Sequence, residues 1–311
     1  MQYRFLGTTG LKVSALGLGA NNFGRVLSQK DSTPVILHAV DAGINFIDSA
    51  NVYGVGQSEE YLGHALAGRR HQVVLATKAG NPMGPAPNQS GLSRGHLFDS
   101  VHASLRRFRT DYLDLYYAHR PDPQTPLEET LRAFDDLVGQ GKIRYVGLSN
   151  YAGHVLAEAA LLAKFRGYAP PVVVQTGYNL LDRSVEAEVI PCCQRHGIGF
   201  VPYFPLASGL LTGKYRYGEP PPPDSRAATK LPYAPKLEEK PLAKVAKLDA
   251  WARDHGHTVA ELAIAWLLAK PMVCSVIAGA TKNEQIDANV KALDWQLGEV
   301  EINEVEALLV D

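Results

Sequence analysis

The chain has 311 residues, 46% of them hydrophobic, with 31 Lys and Arg against 32 Asp and Glu. That length and apolar content allow one large α/β barrel or two ordinary domains with full cores. The basic residues are scattered and balanced by acids, which argues against nucleic acid and anionic membranes as partners.

The start, Met1-Gln-Tyr-Arg-Phe-Leu-Gly7, lacks a basic stretch followed by an apolar one, and no segment has the length of a membrane span. The sequon Asn88-Gln-Ser therefore has no secretory context. Cys192, Cys193 and Cys274 show neither metal-ligand spacing nor a disulfide framework, so no metal is expected and the economical setting is reducing and cytoplasmic.

In chain order, the segment from Tyr3 to Leu16 carries Gly7-Thr-Thr-Gly10 between two short extended runs and reads as a β-hairpin capping the N-terminal end of the main fold. Short apolar runs then alternate with longer segments of helical period. The expected strands are 16–19, 45–49, 73–78, 113–119, 145–149, 172–176, 199–204 and 274–279. Helical segments are expected at 33–42, 58–67, 96–108, 127–138, 153–162, 185–195 and 258–269, with another at 299–309. Strands alternating with helices imply right-handed crossovers and a parallel sheet. Eight such units favour a closed (β/α)8 TIM barrel, a single domain over 1–311, with an N-terminal β-hairpin and long loops at the C-terminal rim.

An open dinucleotide-binding sheet is the alternative, but Gly17-Leu-Gly19-Ala-Asn-Asn-Phe-Gly24 has the wrong glycine spacing for it. Gly209-Leu-Leu-Thr-Gly213-Lys214 resembles a phosphate-binding P-loop only superficially. It has three residues between the glycines, and Tyr215 follows the lysine. Two long loops are expected to control access: 81–93, with Pro82, Gly84, Pro85 and Pro87, and 216–240, with the proline run 220–223. The second reads equally as a disordered surface excursion or as an ordered flap over whatever the rim binds.

Barrel active sites lie where strands end and loops begin. Asp48, Tyr53, Lys78 and His119 all stand at such ends. Each alone has a plainer reading as turn residue, packed aromatic, ion-pair partner or core histidine; their joint placement favours a proton-delivery site. A phenol with a pKa of roughly 10 holds its proton tightly at neutral pH, so an adjacent ammonium is expected to make it more acidic.

Several stretches together resemble the aldo-keto reductases almost end to end. They are Gly7-Thr-Thr-Gly-Leu-Lys-Val-Ser-Ala-Leu-Gly-Leu-Gly19, Asn45-Phe-Ile-Asp-Ser-Ala-Asn-Val-Tyr-Gly54, Ala76-Thr-Lys78 and Asp111-Tyr-Leu-Asp-Leu-Tyr-Tyr-Ala-His-Arg-Pro-Asp122. The series continues with Gly141-Lys-Ile-Arg-Tyr-Val-Gly-Leu-Ser-Asn150, Gln175-Thr-Gly-Tyr-Asn179, Tyr203-Phe-Pro-Leu-Ala-Ser-Gly-Leu-Leu-Thr-Gly-Lys214 and Gly279-Ala-Thr-Lys-Asn-Glu-Gln-Ile-Asp-Ala-Asn289.

The resemblance implies reversible hydride transfer between a nicotinamide cofactor and an aldehyde, ketone or alcohol. Tyr53 would be general acid and base, Lys78 with Asp48 would lower its pKa, and His119 would hold the carbonyl oxygen. Ser149, Asn150 and Gln175 would meet the nicotinamide carboxamide, and Tyr203 would stack on its ring. The stretch holding Leu206, Ser208, Gly209, Leu211 and Lys214 would bring backbone N–H groups to the pyrophosphate. Gly279, Thr281, Lys282, Gln285 and Asn289 would hold the adenosine end, at a helix N-terminus suited to anions.

The implied cofactor is NADPH, with NADH as the alternative because Gln285 stands where many members carry Arg. Ala288 and Phe204 also depart from the common pattern. Without the long C-terminal tail of steroid-reducing members, the pocket is expected to be open, with Phe23, Met83, and Tyr116 or Arg120 at its mouth. The family also includes potassium-channel β-subunits, so a nicotinamide-bound regulatory subunit with little turnover is the alternative function. The sequence shows no N-terminal inactivating extension, which favours a free enzyme. Physiological substrate and oligomeric state stay open.

Overall fold

In a computed structural model, which describes residues 1–229 and 233–310, the chain opens with an antiparallel hairpin of β1 (Tyr3–Phe5) and β2 (Lys12–Ser14). Eight parallel strands follow: β3 (Leu16–Gly19), β4 (Phe46–Asp48), β5 (Val74–Ala79), β6 (Leu113–Ala118), β7 (Ile143–Ser149), β8 (Pro171–Gly177), β9 (Gly199–Tyr203) and β10 (Val276–Gly279). They close into a barrel in the order β10-β3-β4-β5-β6-β7-β8-β9. The expected (β/α)8 barrel is therefore the observed one.

The helices are α1 (Gln29–Asp41), α2 (Gln57–Ala65), α3 (Arg94–Phe108), α4 (Leu127–Gly139), α5 (Gly153–Arg166), α6 (Val189–His196), α7 (Glu239–Asp254), α8 (Val259–Leu268), α9 (Asn283–Lys291) and α10 (Glu299–Ala307). Helix α1 starts four residues earlier than expected because the Ser28 hydroxyl caps it, accepting from Asp31 N, and Pro34 is accommodated inside. Helix α6 starts four residues later, after a separate turn at Ser184–Glu186, with Pro191 in its first turn where a missing N–H matters least. Helix α7 was not expected at all. Leu242, Val245, Leu248 and Ala252 bury one face of it, a 3–4 residue spacing hidden behind the proline-rich run and Pro241.

The hairpin plugs the N-terminal end of the barrel. Leu6 and Val13, both fully buried, pack with Phe46, Val74, Leu115, Val173, Val201 and Ile277. Gly7 makes the turn possible: its φ is +58°, and a Cβ there would lie 2.4 Å from the Val172 carbonyl oxygen. Asn45 ties hairpin to barrel, its Oδ1 accepting from Ser14 N at 2.6 Å. The opposite end of the barrel is the rim where all eight parallel strands terminate.

Candidate active site

Strand register sets the candidate residues side by side. Asp48 pairs with Ala76, Lys78 with Tyr117, Ser149 with Gln175, and Gly177 with Tyr203. Lys78, 1% exposed, donates from Nζ to Asp48 Oδ2 at 2.6 Å and to the Ser49 carbonyl at 2.8 Å. The other Asp48 oxygen accepts from Gln175 Nε2 at 3.0 Å. Burying two charges is tolerable only with such complete pairing.

Tyr53 begins a short left-handed turn through Gly54, Val55 and Gly56. Gly54 is required there, because its Cβ would meet the Gly24 backbone at 2.9 Å. The turn hangs the Tyr53 ring over the ion pair, with Lys78 Nζ 5.2 Å from the ring centroid. The His119 ring stands edge-on to Tyr53, with centroids 6.0 Å apart and an interplanar angle of 80°. All four residues proposed for proton delivery thus converge at one end of the barrel.

The direction of the Tyr53 shift corrects the sequence reading. Burial first, then Asp48, Tyr233 and Tyr203, push the phenol well above 10, and only Arg25 among the main influences lowers it. The Lys78 charge lies against Asp48 and over the ring face, so it does not dominate at the phenol. Burial also lowers the Lys78 pKa, against the opposing pull of Asp48. His119 is pressed down to about 3 by burial, then by Lys78 and Arg120, so its imidazole is neutral at ordinary pH.

Two residues expected at the pocket mouth are elsewhere. Phe23 is fully buried in the main core cluster. Tyr116 is also fully buried, facing outward from the barrel, with its hydroxyl on Leu97 O at 3.4 Å and its ring against Phe134. Met83 is half-buried on the 81–93 loop, where its N–H donates to Gln89 O at 2.9 Å; Arg120 is exposed beside His119.

Sequence reasoning missed three rim residues. Asn81 contacts the His119 ring; Arg25 and Tyr233 meet across the mouth, with the guanidinium 5.5 Å from the Tyr233 ring and Phe204 on that ring at 5.4 Å. Polar type and position at a strand end could have flagged Asn81. No local signal marks the Arg25–Tyr233 contact.

Within 216–229, one side chain reaches the loop after β3. Ser225 is buried, and Arg226 Nη2 reaches Asn22 Oδ1 at 3.4 Å. Lys230–Pro232 of the expected flap lie outside the described residues. A basic cleft of about 710 Å³ lined by Arg70, His71, Arg106, Arg109 and Tyr112 contains none of the candidate residues and opens near the N-terminal ends of β5 and β6.

With this geometry the sequence matches the Aldo/keto reductase family over residues 15–310. The chain belongs to that family. It is 43% identical over 302 residues to a probable voltage-gated potassium channel subunit beta of Arabidopsis thaliana, covering 94% of this chain and 92% of the relative. It is 39% identical over 308 residues to the L-glyceraldehyde 3-phosphate reductase of Escherichia coli K12, covering 94% and 88%. An uncharacterized oxidoreductase of Bacillus subtilis is 37% identical over 308 residues, covering 96% and 92%.

Left-handed backbone at residues other than glycine concentrates around the site of this aldo/keto reductase family member. Among the described residues Val55, Asn88, Asn150, Phe204, Ala207, Ser208 and Tyr233 all stand on rim loops, whereas Arg109 caps α3 at the other end. Strained backbone of this kind gathers at ligand sites because something else over-determines it.

Several residues expected at a dinucleotide are already engaged within the protein. Asn150 is committed to protein partners, its Nδ2 to His119 O and Ser149 Oγ, both at 3.0 Å, and its Oδ1 accepting from Tyr203 OH at 2.8 Å. It staples three strand ends and fixes the Tyr203 ring. The N–H groups of Gly209 and Leu211 both turn back onto Leu206 O, at 2.8 and 3.2 Å, and the Leu211 side chain is buried, so these two do not offer the expected donors. Leu206 and Ser208 stay half-buried in the left-handed turn, and Lys214 is exposed beside it.

At the start of α9, Lys282 provides no side-chain cap, leaving that helix terminus suited to an anion. Gln285 Oε1 accepts from Thr281 N at 2.7 Å and from Thr281 Oγ1 at 3.2 Å; Gly279 is exposed and Asn289 buried. Among the described residues no group of three His, Cys, Asp or Glu could hold a metal, and no helix is long and apolar enough to cross a membrane.

Proposed function

We propose that this protein is an NADP(H)-dependent reductase of aldehyde or ketone carbonyls, with Tyr53 as general acid. The observation that carries the reading is the convergence of the buried Lys78–Asp48 pair, the Tyr53 phenol and the neutral His119 ring at the open end of the barrel. Ser149, Gln175, Tyr203, Leu206, Ser208, Lys214, Lys282, Gln285 and Asn289 would hold the dinucleotide. When bound, the reduced nicotinamide supplies a hydride to the carbonyl carbon.

Tyr53 gives its proton to the carbonyl oxygen as negative charge develops there, and His119 steadies that oxygen with a second donor. Burial keeps the proton on Tyr53, so the acid form that reduction requires is the one present at neutral pH. The raised pKa burdens the reverse reaction instead, because alcohol oxidation needs the tyrosinate. Lys78 then stabilises the anion left on Tyr53.

A carbonyl panel headed by glyceraldehyde 3-phosphate, suggested by the Escherichia coli relative, tests the proposal with NADPH and NADH followed at the reduced nicotinamide absorbance. Tyr53→Phe should lose about 10²- to 10⁴-fold in kcat. Full activity in that variant would overturn the mechanism. A second reading, a nicotinamide-bound regulatory subunit, is favoured by the 43% identity to the Arabidopsis relative. Tight NADPH binding without turnover of any aldehyde would establish that reading over the first.

A further inference from the structure

We propose that Asn81 is a positioning residue that holds His119 as the tautomer protonated on Nε2, aiming the second hydrogen-bond donor at the substrate oxygen. The inference rests on the carbonyl-reduction reading. Asn81 lies three residues beyond Lys78, where the chain leaves β5, and is 6% exposed. Its Nδ2 is 3.0 Å from His119 Nδ1. The His119 backbone is clamped on both sides, its N–H donating to Ala79 O at 2.8 Å and its carbonyl accepting from Asn150 Nδ2 at 3.0 Å. The ring is thus the free part of the residue, and Asn81 holds one edge of it.

A neutral imidazole carries one proton, and the nitrogen that accepts a hydrogen bond cannot be the one bearing it. With the Asn81 amide donating to Nδ1, the proton belongs on Nε2, the nitrogen away from Asn81. The opposite tautomer would present a lone pair toward a developing oxyanion. Asn81 Oδ1 is buried without a partner. Exchanging the amide atoms would instead bury an unpartnered NH2 group, and an under-satisfied carbonyl is tolerated more often than an orphaned N–H. That comparison supports the donating orientation. Burial, Lys78 and Arg120 keep the ring uncharged, so the tautomer, rather than the protonation state, decides what His119 offers.

The test reads the ring nitrogens of His119 by NMR in uniformly ¹⁵N-labelled protein, before any assay of turnover. The wild type should show a protonated Nε2 and a bare Nδ1. In Asn81→Asp a carboxylate that can only accept should recruit the proton to Nδ1. It should also raise the acid equilibrium of a ring faced by Tyr53, Lys78, Arg120 and the new carboxylate. Because the protonated ring donates from both nitrogens, reduction by this variant should recover as pH falls, a dependence absent from the wild type.

Reduction by Asn81→Asp should fall about 10²-fold in kcat, as expected for one lost oxyanion donor, with KM for NADPH unchanged. Asn81→Leu, of similar size, should leave a mixture of tautomers and provides a second variant if the first does not fold. A wild-type ring protonated on Nδ1, or a tautomer unmoved by either variant, would overturn the proposal. An Nε2-protonated wild-type ring whose tautomer inverts in Asn81→Asp, in a protein that turns over no carbonyl, would uphold the hold of Asn81 on the ring and defeat the reductase reading.

Discussion

Replacing Asp48 by Asn and Lys78 by Met, singly and together, tests whether the buried pair exists for chemistry or for stability. The two side chains are 4% and 1% exposed and 2.6 Å apart. Either single change leaves the other charge in the barrel with only a neutral partner, Ser49 O for Lys78 or Gln175 for Asp48. Breaking a buried pair in this way costs about 3–5 kcal/mol, a large part of the roughly 5–15 kcal/mol that holds a protein folded.

The double variant buries no charge. Because burial outweighs Asp48 in setting the Lys78 pKa, the pair repays its desolvation only in part. The double variant should therefore be more stable than either single one and near the wild type, while carbonyl reduction stays at least about 10²-fold slower. Urea unfolding at pH 7, followed by tryptophan fluorescence, gives the three free-energy changes. Single-variant costs below about 1 kcal/mol that simply add would show that the pair is neither buried nor coupled as described.

The pH dependence should differ by direction. Reduction should be flat from about pH 5 to 9, because Tyr53 stays protonated and His119 neutral throughout; oxidation of an alcohol should keep rising as pH approaches and passes 10. A bell with both limbs inside that range would contradict the assignment. His119 should also make stability acid-sensitive. The folded ring resists protonation down to about 3, whereas the unfolded one takes a proton below 6.5, so stability falls as pH drops through that window. The loss attributable to this residue is about 2 kcal/mol by pH 5, and His119→Gln should lack it in urea titrations at pH 7 and 5.

Much of the barrel was legible because strands covered on both faces read as continuous apolar runs, and the helices between them keep a 3.6-residue period. Asp48, Lys78 and His119 were legible for a related reason: each is the first polar residue after such a run or its last member. Which way a side chain faces was harder to read. Phe23 and Tyr116 sit at rim-proximal positions in sequence, but their rings turn into the helical layer, and only packing decides that. Helix α7 was masked by prolines whose effect is local.

The sign of the Tyr53 shift was misread because a neighbouring charge is visible in a sequence and desolvation is not. Asn81 was overlooked because its partner stands 38 positions away.

The hairpin plug ties the first residues of the chain to the last strand. Arg4 Nη1 donates to Val273 O at 2.9 Å, Gly7 N to Cys274 Sγ at 3.4 Å, and Leu16 pairs with Val276. The seam of the barrel is therefore made by segments some 260 positions apart, and neither side can be completed until the other has been synthesised. Folding during translation must leave the barrel without a floor until its last strand has emerged. Such long-range closure is slow to nucleate and postpones the dry environment of Asp48 and Lys78 to a late step.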